Sequence, residues 1–176
     1  MVKKLSVSSV SLCLLLVLLV SSLVGCAKSA PAQENAYVAS VKIFVDNFYE
    51  HRREYNAGLE LIGTQVRSAR NNAEYRQALQ QAITLLDNSH QLFRQDMDDF
   101  AAALPPPKFQ NFYLLMNSVL RDYVEVTAAF ALYYSQNLNL GTQDLQLADH
   151  AQAQLRTANE NLQRAALMLT ELTGER

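Results

Sequence analysis

The chain is short of the residues that ordinarily interrupt a helix or staple a fold. In 176 residues it has five glycines, four prolines, two cysteines and no tryptophan. Cys13 and Cys26 both fall in the first 26 residues, so the remainder has no thiol for a disulfide and must be stabilised by packing. Fifteen basic against 17 acidic side chains give a formal net charge of −2, which excludes the basic stripe of a nucleic-acid binder. There are three histidines, His51, His90 and His150, and none has a glutamate three positions before it, the pattern of a carboxylate-bridged metal site in a bundle. His90 has only Asp87 at that spacing. A CxxCH haem attachment, a glycine-rich phosphate loop, a nucleophile elbow and a Ser-His-Asp spacing are all missing, so no enzyme is read here.

What is present begins with an export signal. Lys3 and Lys4 give a positive start, residues 7–24 are apolar apart from a few serines, and Gly25 is the small residue that closes the run. A membrane-spanning helix needs about 20 apolar residues, and this run approaches that only by counting its serines, which leaves an uncleaved anchor as the alternative. The four residues Leu23-Val24-Gly25-Cys26 resemble the lipobox of bacterial lipoproteins. That resemblance implies a lipid attachment at Cys26, cleavage between Gly25 and Cys26, and fatty chains such as palmitate holding the protein to a membrane. Two or more acyl chains, at about 0.8 kcal/mol per buried methylene, anchor durably where one does not. Ala27 stands where the lipoprotein pattern places aspartate for inner-membrane retention. The expectation is an outer-membrane address in a two-membrane host and the outer face of the cell membrane in a one-membrane host.

Cleavage there would take 25 residues and two lysines, leaving 17 acidic side chains against 13 basic ones in a part long enough for one cored domain. The organisation expected is a signal peptide over 1–25, an acylated cysteine and flexible tether over 26–35, and a helical domain over 36–176. The tether reading rests on small and polar residues with Pro31 among them.

Beyond the tether only Asn71-Asn72, Pro105-Pro106-Pro107 and Gly141-Thr142 interrupt the chain strongly. They predict four helices over 36–70, 72–104, 108–140 and 142–173, the second opened by Asn71 with Glu74 three residues on. Gly63-Thr64 is a rival end for the first. Each helix carries a coiled-coil-like apolar seam recurring every seven residues. The first runs Val38, Val41, Val45, Phe48, Tyr55, Leu59, Ile62, Val66 and Ala69, broken by Arg52; the second runs Leu79, Ile83, Leu86, His90, Phe93, Met97, Phe100 and Leu104, with His90 the exception. The third follows Phe109, Phe112, Met116, Val119, Tyr123, Val126, Phe130, Tyr133 and Leu140, with Asn137 in the last turn. The fourth pairs a mainly leucine line, Ala148, Leu155, Leu162 and Leu169, with a mainly alanine line, Ala151, Ala158, Ala165 and Leu172, whose small residues let a neighbour approach closely. No strand pattern competes. Short breaks between matched helices predict an all-α, antiparallel up-down-up-down four-helix bundle with helices roughly 50 Å long.

Reflecting the helices about their turns brings Arg52 level with His90, His90 level with Asp122 and Tyr123, and these level with Asn159 and Glu160. A buried guanidinium needs compensation, and Asp122 is its expected carboxylate. The layer Arg52, His90, Asp122 and Tyr123 reads either as a device that fixes register or as a pocket for a small anionic or aromatic ligand. Met97 and Met116 are level with each other about two turns from His90, which raises haem or copper as the metal-binding alternative; gap-filling is the commoner use of methionine. No cofactor is assigned. Asp96, Asp98 and Asp99 lie off the seam and read as a solvated face, and the tyrosines beside the seams read as core edge or docking surface. The glycines of GLELIGTQ mark a further close-contact face. The function expected is a non-catalytic, lipid-anchored interaction or structural domain of the cell envelope, its protein partner unspecified. Seams of this regularity would equally serve a homo-oligomer.

Overall fold

The computed structural model describes residues 30–174, so the signal segment and Cys26 lie outside the described residues. Four long helices account for nearly all of the described chain: α1 (Ala30–Ser68), α2 (Asn72–Ala101), α3 (Gln110–Leu140) and α4 (Leu145–Thr173). A single 3-10 turn, Pro107–Phe109, precedes α3. The chain divides into two compact units, the second of which begins at Ala36. Among the described residues there is no strand, and no helix long and apolar enough to cross a membrane.

The helix ends follow local chemistry. Helix α1 starts at Ala30, inside the segment expected as a tether; Pro31 falls in the first turn, where its missing N–H costs no hydrogen bond. It runs through Gly63 without a break. At the start of α2 the Asn71 side chain accepts the Glu74 N–H at 2.9 Å, while the Glu74 carboxylate accepts from the Arg70 N–H at 2.7 Å and the Asn71 amide at 2.9 Å. Helix α2 stops at Ala101 and not at 104, because the residue before a proline is driven out of the helical region. Leu104 consequently leaves the seam and is 88% exposed. Gly141, at φ 65°, ends α3 in the left-handed conformation, and its N–H donates to Asn137 O. Asp144 caps α4 by accepting the Leu147 N–H at 3.0 Å, so α4 begins three residues later than the expected 142.

The helices form the antiparallel up-down-up-down bundle. Phe44 meets Phe100 and Phe48 meets Phe93, while farther along α1 Gly58 meets Leu85, so numbers rise on α1 as they fall on α2. The α2–α3 pair behaves alike, with Phe100 against Phe112, His90 against Val124, and Arg76 reaching Leu138 O. On the diagonal, α1 and α3 run parallel: Tyr37 meets Phe109 and Phe48 meets Tyr123. Gln154 and Asn159 of α4 reach Glu125 and Tyr123 of α3 in reversed order.

Most of the seam is buried. Phe48, Tyr55, Phe93, Val119, Tyr123 and Val126 are all 0% exposed. The rings of Phe48, Phe93 and Tyr123 form a triangle with centroids 5.1–5.7 Å apart, in tilted and edge-on arrangements that favour aromatic contact. Ala151, Ala158 and Ala165 of α4 are equally buried and give the large rings of the other helices room.

Candidate functional site

The polar layer lies beside that aromatic triangle. Arg52 is half-buried on α1, and its aliphatic stem leaves the seam toward α3 and α4. Its Nε donates to Tyr123 Oη at 2.6 Å and its Nη2 to Asn159 Oδ1 at 2.7 Å. Tyr123 Oη donates in turn to Asn159 Oδ1 at 2.7 Å, closing a three-residue ring across three helices. Burial pushes the Tyr123 phenol up; the neighbouring Arg52 charge and hydrogen bond oppose that, and Tyr49 adds to it. The ring therefore contains one cation and two neutral groups.

Arg52 and Tyr123 thus come together as their levels required, but the expected carboxylate does not join them. Asp122 Oδ1 instead accepts from Gln154 Nε2 at 3.3 Å, and the same amide donates to Glu125 Oε2 at 2.7 Å. Asp122 is one residue before Tyr123 on the helix, and a step of one residue turns a side chain about 100° from its neighbour. The phenol occupies the inward direction, so the carboxylate cannot.

His90 makes a separate cluster. Its Nδ1 lies 3.0 Å from Val124 O and 3.4 Å from Thr127 Oγ1. A carbonyl only accepts, so Nδ1 is the protonated nitrogen in that bond. Thr127, 0% exposed, also turns its hydroxyl back onto the carbonyls of Tyr123 and Val124. Met97 and Met116 both pack into the apolar core. Among the described residues no group of three or more His, Cys, Asp and Glu side chains is placed to hold a metal ion.

One cluster escaped the sequence reading. Asp96 does not belong to a solvated face: it is 6% exposed and its Oδ2 lies 2.9 Å from His51 Nδ1. Burial raises its pKa; the hydrogen bond and charge of His51 oppose the rise, and nearby Asp99 reinforces it. The signal that finds Asp96 is a second seven-residue line on α2, Ala82, Ser89 and Asp96, all buried. Two of its three members are polar, so the line is invisible to a search for apolar periodicity. Tyr55 has a buried hydroxyl with no hydrogen-bond partner among the described residues, and the same holds for Tyr37 Oη and Gln65 Oε1. Burial pushes the Tyr55 phenol well up, and Tyr123 and Tyr134 add to the shift.

No protein-family model, curated protein or solved structure matches this chain.

Proposed function

We propose that the protein is an exported lipoprotein, acylated at Cys26, that displays a non-catalytic four-helix domain from a cell-envelope membrane as an interaction or structural module. The observation that carries the reading is the apolar run ending in Leu23-Val24-Gly25-Cys26 ahead of a domain with no other cysteine. Such a domain has no disulfide to lose or gain outside the cytoplasm, which suits the aromatic packing at its centre. The membrane is the first partner, reached through the acyl chains. The mid-bundle groups are mostly engaged with one another, in the Arg52–Tyr123–Asn159 ring, the His90–Val124 bond and the His51–Asp96 pair, which supports a supporting or docking role over turnover.

The test is fractionation with and without acylation. In the native host, labelled palmitate should enter the wild-type protein and not Cys26→Ala, and the variant should leave the membrane fraction. A Cys26→Ala protein that stays membrane-bound would overturn the anchor and favour an uncleaved apolar segment.

A further inference from the structure

Arg52 has more hydrogen-bonding capacity than the bundle uses. A guanidinium presents five N–H donors in a planar fork; Nε and one N–H of Nη2 are committed to Tyr123 and Asn159. Three N–H groups remain without a partner among the described residues. Among the described residues no carboxylate lies within ion-pair distance of Arg52, whereas neighbouring Arg53 is paired with Glu50. A half-buried cation held only by neutral partners has given up water without recovering a counter-charge.

Arg52 also lines an open surface hollow of about 520 Å³, whose lining residues all belong to α1. Tyr49 and Asn56 lie one turn to either side of Arg52 on the same face of α1, and Ala57 adds an apolar wall. Tyr49, 37% exposed, puts an aromatic ring at the mouth. Glu50 and Glu60 line the rim. Their charges disfavour a multiply charged anion, while the fork favours the planar, two-oxygen geometry of a carboxylate.

We infer that the hollow beside Arg52 is a binding site for a small monocarboxylate with an aromatic or apolar body, its carboxylate forked on the free guanidinium N–H groups and its body against Tyr49. The site goes beyond the envelope role and does not depend on acylation of Cys26. The Tyr123–Asn159 pair acts as the brace: it holds Nε and one N–H of Nη2 and leaves the other three N–H groups free.

Benzoate is the probe, titrated into the purified full-length chain by calorimetry, with inorganic phosphate as the comparison. Saturable benzoate binding with a Kd of about 1 mM is expected, with weaker phosphate binding. Tyr49→Ala, which leaves the hydrogen-bonded ring intact, should weaken benzoate about three- to tenfold. Arg52→Lys keeps the charge but loses the fork and should weaken it about tenfold or more. Absence of saturable binding to the wild type overturns the proposal, as does equal affinity in Tyr49→Ala and wild type. Should Arg52→Lys fail to fold, the wild-type titration and Tyr49→Ala still decide. Phosphate binding that equals or exceeds benzoate would show a general anion site and sink the monocarboxylate assignment.

Discussion

His51 and Asp96 meet at 2.9 Å across the α1–α2 contact, with Asp96 only 6% exposed, so an ionisable group is buried beside the apolar core. The pair shows that a helix flank can be buried without being apolar.

Its pH behaviour follows from the direction of the Asp96 shift. The native pKa is raised above the ordinary 3.8, chiefly by burial. The folded state therefore favours the neutral acid, and the unfolded chain releases the proton first. The stability this group contributes is fully present below the unfolded value and is lost as pH rises through the native one. Asp96→Asn keeps an acceptor for His51 and removes the ionisation. Urea melts across the acid range should show wild type losing stability relative to Asp96→Asn as pH rises through that window; a relative gain would reverse the sign of the shift.

Phe93 touches the rings of Phe48, Tyr55 and Tyr123 and is 0% exposed. Phe93→Ala should cost about 3–5 kcal/mol, through lost burial and the cavity left behind. Chemical denaturation measures it, and a loss under about 1 kcal/mol would mean the aromatic triangle collapses around the gap.

The two helical glycines of α1 should respond differently to alanine. At Gly63 a Cβ would meet only the mobile Arg67 guanidinium, at 3.3 Å, so Gly63→Ala should stabilise by about 0.5–1 kcal/mol. At Gly58 it would come within 2.6 Å of Leu85 Cδ2. Gly58→Ala should fall short of that gain, and combining it with Leu85→Ala should remove the shortfall. A double-mutant cycle with no coupling would contradict the close approach.

Tyr55→Phe deletes a hydroxyl that is buried without a partner among the described residues. Thermal and urea melts should show no loss and a gain of up to about 1–3 kcal/mol. A clear loss would mean that the hydroxyl is hydrogen-bonded in solution.

The bundle was legible because its determinants are local and periodic. Three breaks divide the sequence, and the seven-residue line through each stretch is apolar with few exceptions, Arg52 and His90 among them. The levels were legible in part: reflection about the turns places Tyr123 beside Asn159, as found, and His90 beside Asp122 and Tyr123, whereas its ring meets Val124 O one to two residues farther along α3. The identity of each partner was not. Asp122 and Tyr123 are adjacent in sequence and about 100° apart on the helix, and charge alone favoured the wrong one. Asp96 was lost because aspartate next to Asp98 and Asp99 looks like surface, although its seven-residue relation to Ser89 and Ala82 puts it inside. Leu104 was misplaced because periodicity continues past the point where Pro105 stops the helix.

The ring that holds Arg52 joins residues 107 positions apart, on the first and the last helix. A chain emerging from its N-terminus presents that arginine long before Asn159 exists to receive it. Until α4 arrives, Arg52 has only the Tyr123 hydroxyl of α3 to donate to, and that hydroxyl has no acceptor of its own in the ring. The final segment completes the ring, because Asn159 Oδ1 accepts from both Arg52 and Tyr123. A copy truncated before Asn159 leaves the Tyr123 hydroxyl and one Arg52 N–H with their shared acceptor gone.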